Sequence, residues 1–169
     1  MTSGTQGAPQ LDAAALAAFA GLPADCVEIV DVIDSTNREL MRRPARAELP
    51  PDGLAFTLLL ARSQVAGRGR RGRVWHSDPA DSLTFSIACE HRRTPDTPSL
   101  SGLSVALGVA AAEAVAPLVS GIGLKWPNDL MRHGRKCAGM LAETRLSGDR
   151  ERIVFGWGVN LALPDELAR

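Results

Sequence analysis

The sequence predicts an α+β domain in which a mixed, mostly antiparallel central sheet carries helices on one face. Short apolar segments with strand-like alternation recur along the chain, and only a few segments show helical spacing. Glycine-containing turns at His133-Gly134 and at Gly148 join such segments closely enough for hairpins. A chain of 169 residues with 45% apolar side chains suffices for one core. We therefore expect one domain over residues 11–169, after a disordered polar tail at residues 1–10.

The first predicted elements are a helix, a strand and a second helix. The alanine-rich segment Leu11–Ala20 favours a helix because it ends at a glycine. Val27–Ile33 is predicted to be a strand. The polar residues 34–37 follow it, and either the aspartate or Ser35 among them can cap the next helix. That helix should continue to about Arg43, because a proline comes next.

Two further strands are expected on either side of a loop rich in arginine and glycine. Leu54–Ala61 leads into this loop and Ser82–Cys89 leaves it. A third helix is predicted over Ser99–Ala116, because apolar residues recur there on one helical face. The residues expected on that core face are Leu100, Leu103, Leu107, Ala110 and Ala114.

The remaining elements are predicted to be strands. Ile122–Lys125 is the first, and a proline keeps Trp126 after it extended. A hairpin starts at Leu130 and returns as Lys136–Thr144. The last strand is expected over Arg152–Leu161.

Strand alternation predicts where several side chains point. On the return strand it places Lys136 on the same side as Ala138 and Met140. On the last strand it leaves room for a bound group on the face that carries Gly156, Gly158 and Asn160. The alternative is that these glycines serve only packing or a bulge.

Composition limits the class of protein. The formal net charge of zero gives no overall attraction to nucleic acid or membranes. Cys26, Cys89 and Cys137 are widely spaced, which fits reduced thiols, so we expect a cytoplasmic protein. The three histidines show no ligand spacing, and no metal site built from protein side chains is expected. No apolar segment approaches the ~20 residues that cross a bilayer, so no membrane association is expected.

Residues 67–73, hereafter the Arg/Gly loop, consist of four arginines and three glycines. Glycine lets a backbone close tightly around a bound group, and arginine pairs with phosphate or carboxylate oxygens. We interpret the loop as a mobile clamp for an anion. The alternative is an ordinary solvated basic loop.

Two other interpretations of the Arg/Gly loop are weaker. Gly67, Gly69 and Gly72 match the G-x-G-x-x-G pattern of dinucleotide sites, which must open a helix. Residues 74–79 show no helical period and end in a proline, so we reject this interpretation. Nucleic-acid-binding RGG segments usually repeat within low-complexity sequence, so such a role remains a minority alternative.

Outside the loop, two sets of residues are candidates for a binding site. Only Lys125 and Lys136 among the 19 basic residues are lysines, which suggests places that need a compact ammonium group. Lys136 is the stronger candidate. Ser35, Thr36 and Asn37 at a helix N-terminus could hold a small polar head group, or could act only as a cap.

Five motifs occur in a fixed order that resembles the biotin protein ligase family. The combination of GRGRRGR with KWPND is specific, and the resemblance covers about residues 30–161. The motifs are DSTN (Asp34–Asn37), QVAGRGRRGRVW (Gln64–Trp75), KWPND (Lys125–Asp129), RKCAGMLAE (Arg135–Glu143) and GWGVN (Gly156–Asn160).

The resemblance implies an ATP-dependent ligase that activates biotin as biotinyl-5′-AMP. Such an enzyme then transfers biotin to one lysine on the biotin carboxyl carrier protein domain of an acyl-CoA or pyruvate carboxylase. ATP and biotin would be substrates, and Mg²⁺ would accompany the ATP phosphates. Lipoate and octanoate ligases or acyltransferases share the fold and are the alternative enzyme class. A nucleic-acid-binding domain is the alternative that is not an enzyme.

The resemblance also assigns roles to residues. Lys136 and Arg70 would be catalytic, with Lys136 close to both the biotin carboxylate and the α-phosphate. The biotin-binding residues would be Ser35, Thr36, Asn37, Gln64, Gly67, Arg68, Trp75, Lys136, Gly139 and Gly158. The ATP- or adenylate-binding residues would be Arg68, Arg70, Arg71, Arg73, Trp75, Lys125, Asn128, Asp129 and Asn160.

The sequence departs from the family pattern at both ends. Too few residues precede Val32 for the DNA-binding domain of the bifunctional members, so we expect no DNA partner. The resemblance implies further helices and a small C-terminal β-barrel after the GWGVN strand, whereas the sequence ends at Arg169. We therefore expect a catalytic domain that lacks its C-terminal end.

Overall fold

The computed structural model describes residues 11–51, 53–76, 81–97, 100 and 102–161, so the predicted tail at residues 1–10 lies outside the described part. The helices are α1 (Ala13–Ala20), α2 (Thr36–Arg42) and α3 (Leu103–Val115). The strands are β1 (Val27–Ile33), β2 (Leu54–Gln64), β3 (Ser82–Arg92), β4 (Ile122–Lys125), β5 (Asp129–Arg132), β6 (Arg135–Ser147) and β7 (Arg150–Asn160).

All seven strands form one sheet in the order β1-β2-β3-β7-β6-β5-β4. The β1–β2 pair is parallel, and the other pairs are antiparallel. The predicted α+β class with a mixed, mostly antiparallel sheet is therefore confirmed. β7 lies in the centre between β3 and β6, so the glycines of β7 lie deep within the sheet rather than at an edge.

β2 is longer than the sequence pattern suggested. It was expected to end at Ala61, but parallel pairing with β1 continues until Ile33 faces Gln64. Gln64 is therefore fixed as the last residue of a strand. The polar residues 62–64 obscured this extension, because pairing with a neighbouring strand rather than local hydrophobicity maintains it.

α2 packs on the sheet face that carries the even-numbered residues of β7. Ser35 caps this helix, and Leu40 is buried with Leu59 and Val154 in a small apolar core. At the other end of α2, the buried guanidinium of Arg152 donates to the carbonyl oxygens of residues 40, 43 and 44. Arg152 also pairs at 2.5 Å with the buried carboxylate of Glu90. The sheet thus holds α2 at its middle and at its C-terminus.

The helices do not share one face of the sheet, which corrects the sequence prediction. Gly108 of α3 packs so closely on Met140 that a Cβ at Gly108 would lie 3.3 Å from the Met140 methyl group. Met140 pairs with Trp157, an odd-numbered residue of β7, and successive strand residues point to opposite faces. α2 and α3 therefore cover opposite faces. The sequence could not show this, because each helix has apolar residues but nothing that identifies its side of the sheet.

α3 also presents a different face to the sheet from the one predicted. Ala110 and Ala114, expected in the core, are exposed, whereas Gly108 is buried. The helix is rich in alanine on all sides, so its sequence pattern does not single out one stripe. Gly108 allows the close approach to Leu124 that fixes the contact. Among the helices described, none is long and apolar enough to span a membrane.

Candidate active site

A cavity of about 410 Å³ opens on the face of the sheet that α2 covers. The N-terminus of α2, the end of β2, the Arg/Gly loop, the β4–β5 turn and strands β6 and β7 form its walls. It brings together all the predicted site residues except Gly67 and Asn160: Ser35, Thr36, Asn37, Gln64, Arg68, Arg70, Arg71, Arg73, Trp75, Lys125, Asn128, Asp129, Lys136, Gly139 and Gly158.

The Arg/Gly loop forms a small hairpin over this cavity. Gly69 N donates to Arg73 O at 2.7 Å, and Trp75 N donates to Gly67 O at 3.0 Å. Arg71 at the tip has a φ of 58°, in the left-handed region that non-glycine residues seldom adopt. These bonds lie within the hairpin, so they shape the loop without attaching it to the rest of the protein.

The indole of Trp75 lies directly on the glycines of β6 and β7. A Cβ built at Gly139 would lie 3.0 Å from Trp75 Cζ3, and one built at Gly158 would lie 2.6 Å from Cζ2. Trp75 Nε1 is buried without a hydrogen-bond partner. The glycine face predicted from alternation therefore exists, and the indole forms a flat apolar wall against it with one polar atom unsatisfied.

Polar groups from α2, β2 and β3 meet at one end of the cavity. Gln64 Oε1 accepts from Thr36 N at 2.8 Å and lies 3.2 Å from Thr36 Oγ1. Ser86 Oγ lies 2.7 Å from Thr36 Oγ1 and donates to Asn37 Oδ1 at 2.6 Å. Thr36, Asn37 and Ser86 are all buried, so this network is rigid and sets the orientation of the polar groups.

Asn37 is fully engaged with the protein. Its Nδ2 donates to Leu141 O at 3.2 Å and to Glu143 Oε2 at 3.0 Å, so both amide hydrogens are in use. The amide also fills the space over Gly156, where a Cβ would lie 2.8 Å from Asn37 Cγ. Asn37 lines the cavity as predicted, but its geometry suits it to holding neighbouring groups in place.

Lys136 reaches the cavity because of an irregularity in the sheet. The β5–β6 register shifts by one residue between Leu130 and Met131, so β6 holds an extra residue there. Lys136 consequently lies on the face of Gly139, and its Nζ would be 3.2 Å from a Cβ at that glycine. The prediction that Lys136 shares a side with Ala138 is wrong, because strict alternation does not hold across a bulge.

The ammonium of Lys136 is tied to two other parts of the site. Its Nζ pairs at 2.6 Å with Asp129 Oδ1 and lies 5.6 Å from the centre of the Trp75 ring. Both distances are within the range of favourable charge and cation–π interaction. Lys136 thus lies between the carboxylate of β5 and the indole that covers the glycines.

The β4–β5 turn provides the contact for a second cation. Asn128 Oδ1 accepts from Arg70 Nη1 at 3.0 Å, and Asn128 Nδ2 donates to Met140 O at 2.7 Å. The Trp126–Pro127 peptide bond before Asn128 is cis. Asn128 therefore connects the Arg/Gly loop to β6 at the opposite end of the cavity from Gln64.

The cavity is strongly cationic although the chain is neutral overall. Asp129 is the sole carboxylate among the described residues that line it. A cluster of this kind concentrates anions and favours phosphate in particular. The six cationic lining residues are Arg68, Arg70, Arg71, Arg73, Lys125 and Lys136.

Two predicted residues do not line the cavity. Gly67 is buried behind it, where a Cβ would lie 2.8 Å from Trp75 O, so it serves the hairpin. Asn160 lies at the end of β7 and accepts from Ser82 Oγ at 2.9 Å. Its predicted approach to adenine remains a prediction.

Two polar residues of the site were not predicted from the sequence. These are Ser86 and Glu143, and each contacts Asn37. Ser86 is a small polar residue within a largely apolar strand segment. This was the one feature of the sequence that could have indicated its role. Glu143 lies within a motif of the family, but nothing in its local sequence distinguishes it from a surface glutamate.

Two of the three cysteines, Cys89 and Cys137, are unsuited to nucleophilic chemistry. Burial raises the pKa of the Cys89 thiol to about 11, and burial likewise raises the pKa of Cys137. Cys26, Cys89 and Cys137 are all free thiols. A protonated thiol is a poor nucleophile, which is consistent with chemistry that needs no covalent enzyme intermediate.

Comparisons with known proteins agree with this geometry. Residues 29–160 match the model of the biotin/lipoate A/B protein ligase family. The chain is 36% identical over 149 residues to the biotin–[acetyl-CoA-carboxylase] ligase of Mycobacterium tuberculosis, covering 83% of this chain and 52% of that protein. It is 37% identical over 139 residues to the bifunctional ligase/repressor BirA of Escherichia coli, covering 81% of this chain and 41% of BirA.

Solved structures show the same fold. A biotin protein ligase from Aquifex aeolicus in complex with biotin and ATP matches with a TM-score of 0.61 and 30% identity, over 83% of this chain and 56% of that one. A biotin protein ligase from Leishmania major in complex with biotinyl-5-AMP matches with a TM-score of 0.62 and 25% identity, over 83% and 60%. The chain spans about half the length of these relatives.

The fold and cavity define an α+β domain with a cationic cavity, covered by an arginine- and glycine-rich hairpin. The family match over most of its length makes the identity more specific: the chain belongs to the biotin/lipoate A/B protein ligase family. Three of these four relatives are named as biotin ligases, and this does not favour the lipoate or octanoate alternatives or the nucleic-acid alternative.

Proposed function

We propose that this chain carries the site at which a ligase activates biotin with ATP to biotinyl-5′-AMP, for transfer to a lysine of a biotin carboxyl carrier protein. The observation that carries the proposal is the position of Lys136. Its ammonium lies beside the glycine-lined, indole-covered slot, in the same cavity that the cluster of arginines lines. One compact cation therefore borders both the expected place of a carboxylate and that of a phosphate.

The proposed biotin slot combines an apolar wall with a polar end. Biotin's bicyclic ring needs flat apolar surface, which Trp75, Gly139 and Gly158 provide. Its ureido group needs donors and acceptors, which Thr36 and Gln64 provide at the buried end. Trp75 has to move away from the glycines for the ring to enter between them, and its unsatisfied Nε1 reflects a contact that is only apolar.

The proposed phosphate side is the cationic end of the cavity. Arg70 is positioned by Asn128, and Lys125 lies on the strand next to Asp129. The carboxylate of biotin must attack the α-phosphorus of ATP, and these two anions repel each other. Fixed positive charges bring them together and stabilise the charge that builds up in the transition state. Lys136 and Arg70 are the proposed catalytic residues for this reason.

The reaction needs no base at the attacking atom, because the biotin carboxylate is already ionised. A carboxylate oxygen forms a bond to the α-phosphorus, and the bond to the bridging oxygen breaks so that pyrophosphate leaves with its negative charge. In the second half-reaction, the neutral amine of the acceptor lysine attacks the carbonyl carbon of the mixed anhydride, AMP leaves, and the nitrogen releases a proton to solvent. Lys136 can follow the charge from the carboxylate to the phosphate oxygens during the first step.

Magnesium and the acceptor complete the proposal. Mg²⁺ would enter with ATP, whose phosphates supply the hard oxygen ligands that it prefers, and Asp129 offers one further carboxylate oxygen. The acceptor would be the carrier domain of an acyl-CoA or pyruvate carboxylase. A cytoplasmic location is also proposed, and three free cysteines support it.

Biotin-dependent exchange of labelled pyrophosphate into ATP tests the proposal directly. We expect exchange by this chain with biotin and none when biotin is omitted or replaced by lipoate or octanoate. A control reaction with RNA in place of biotin should also be silent. Exchange that responds to lipoate or octanoate instead of biotin would contradict the proposed substrate.

A further inference from the structure

Glu143 contacts both the Arg/Gly loop and the N-terminus of α2. Its Oε1 lies 3.2 Å from Arg68 Nη1, and its Oε2 accepts a hydrogen bond from Asn37 Nδ2 at 3.0 Å. β6 and β7 pair Glu143 with Val154, so it projects on the face that carries the cavity. The carboxylate of Glu143 thus connects the Arg/Gly loop to α2. Among the contacts described, no other strand residue has side-chain contacts with both.

The contacts of Glu143 continue to the strand from which the loop emerges. Asn37 is held by Ser86, Ser86 by Thr36, and Thr36 by Gln64, the last residue of β2. The Arg/Gly loop begins shortly after Gln64. A continuous chain of contacts therefore runs from the end of β2 through α2 to Glu143. From Glu143 it reaches the loop at Arg68.

We propose that Glu143 is a positioning residue that holds the Arg/Gly loop closed over the N-terminus of α2 and fixes the amide of Asn37. The inference rests on the proposed function, because it assigns Glu143 to the biotin site of that proposal. Closing the loop places Trp75 over the slot, and fixing Asn37 keeps Thr36 and Gln64 oriented toward the head group. Glu143 itself does not line the cavity as described.

The hydrogen bonds of the loop support this role. Those between Gly69 and Arg73 and between Gly67 and Trp75 are internal to the hairpin, so they cannot hold it against α2. Arg70 attaches the loop to the β4–β5 turn, at the far side of the cavity. Among the contacts described, Arg68 is the loop residue that attaches the loop to the α2 side, through Glu143 and Asn37. The pair is partly exposed, so we expect an effect on the order of five-fold rather than a complete loss.

Glu143→Gln separates this role from a purely structural one. The variant keeps an oxygen that can accept from Asn37 but removes the charge that holds Arg68. We expect trypsin to cleave after Arg70, Arg71 and Arg73 about five-fold faster without ligands, and the Kd for biotin to rise by a similar factor. The kcat of pyrophosphate exchange at saturating biotin should change less than two-fold, because Lys136 and Arg70 remain in place.

Glu39→Gln is the matched control. Glu39 is similarly buried and paired with arginines, but it lies on α2 away from the loop. We expect it to leave loop cleavage and biotin affinity unchanged. If the Glu143→Gln variant matches this control in both measurements, Glu143 has no positioning role.

Arg68→Met provides a second approach if Glu143→Gln does not fold. This substitution removes the ion pair by replacing its arginine partner. Trypsin cleavage after Arg70, Arg71 and Arg73 should accelerate by the same factor. When both single variants fold, the double variant should be cleaved no faster than either of them, because both remove the same interaction. Additive acceleration would overturn the proposal. Cleavage rates are measured without biotin, so they decide the role of Glu143 even if the chain fails to bind biotin.

Discussion

Trp75 packs on Gly158 so closely that this position cannot hold a side chain without displacing the indole. A Cβ there would lie 2.6 Å from Trp75 Cζ2, and closer still to Nε1 and Cε2. Gly158 belongs to the central strand β7, so the backbone has little freedom to move away. The indole therefore lies on Gly158 where the proposed biotin slot would open, and it has to move away for biotin to enter.

Gly158→Ala should narrow this slot. The new methyl group must displace Trp75 or occupy space needed by the biotin ring, so we expect the Kd for biotin to rise at least about ten-fold, as for a misfit in a closed pocket. Calorimetry with biotin measures this. Gly123→Ala is the control, because its new methyl group meets open space and the variant should bind biotin normally. Gly148→Ala would be unsuitable, because Gly148 has a positive φ that alanine seldom adopts. Equal affinity in both variants would contradict the proposed slot.

Lys136→Arg should strongly reduce adenylate formation although it conserves charge. The ammonium fits between Asp129, Trp75 and the glycine face, whereas the broader guanidinium would displace a reactant by about an ångström. Such misplacement costs on the order of 100-fold in rate. Pyrophosphate exchange by the folded variant provides the measurement. Rates equal to those of the parent chain would mean that Lys136 is not central to the site.

Glu28→Gln should lower the free energy of unfolding near neutral pH, and this effect should disappear in acid. Arg43 donates two hydrogen bonds to Glu28 and, against partial burial, lowers the pKa of that carboxyl below its ordinary 4.5. A lowered pKa stabilises the folded state above pH 4.5, and this contribution is lost as the pH falls through the folded-state value.

The expected loss at pH 7 is up to about 1 kcal/mol, because the pair is partly exposed and screened. Urea unfolding of parent and variant at pH 7 and again at the lowest pH where both fold gives the comparison. The difference should shrink toward acid. A difference that stays constant over this range would show that lost packing, not charge, causes it.

Cys89 should resist alkylation in the folded protein. Burial raises its pKa to about 11, so at pH 8 it holds about 100-fold less thiolate than a thiol with the ordinary value of 9.0. Iodoacetamide labelling followed by mass spectrometry, with and without urea, tests this. Fast labelling of Cys89 without urea would indicate that its strand opens readily or that its surroundings are less apolar than described.

The sequence by itself determined the order of the elements and most of the residues around the cavity. Strand alternation and turn glycines are local properties, so β7 with Gly156 and Gly158 on one face was predictable without knowing its neighbours. A helix cap at Asp34 or Ser35 was predictable for the same reason, since a cap bonds only within its own turn, and the structure places it at Ser35. The Arg/Gly loop was identified by composition alone.

Only the tertiary structure decided the features that depend on pairing between distant segments. The register shift that brings Lys136 to the face of Gly139 arises between β5 and β6. The amide of Asn37 is oriented by groups about a hundred positions away, at Leu141 and Glu143. A bulge and a buried hydrogen bond are stable only when their partners are in place. Their energies belong to the assembled sheet and leave no trace in the local sequence.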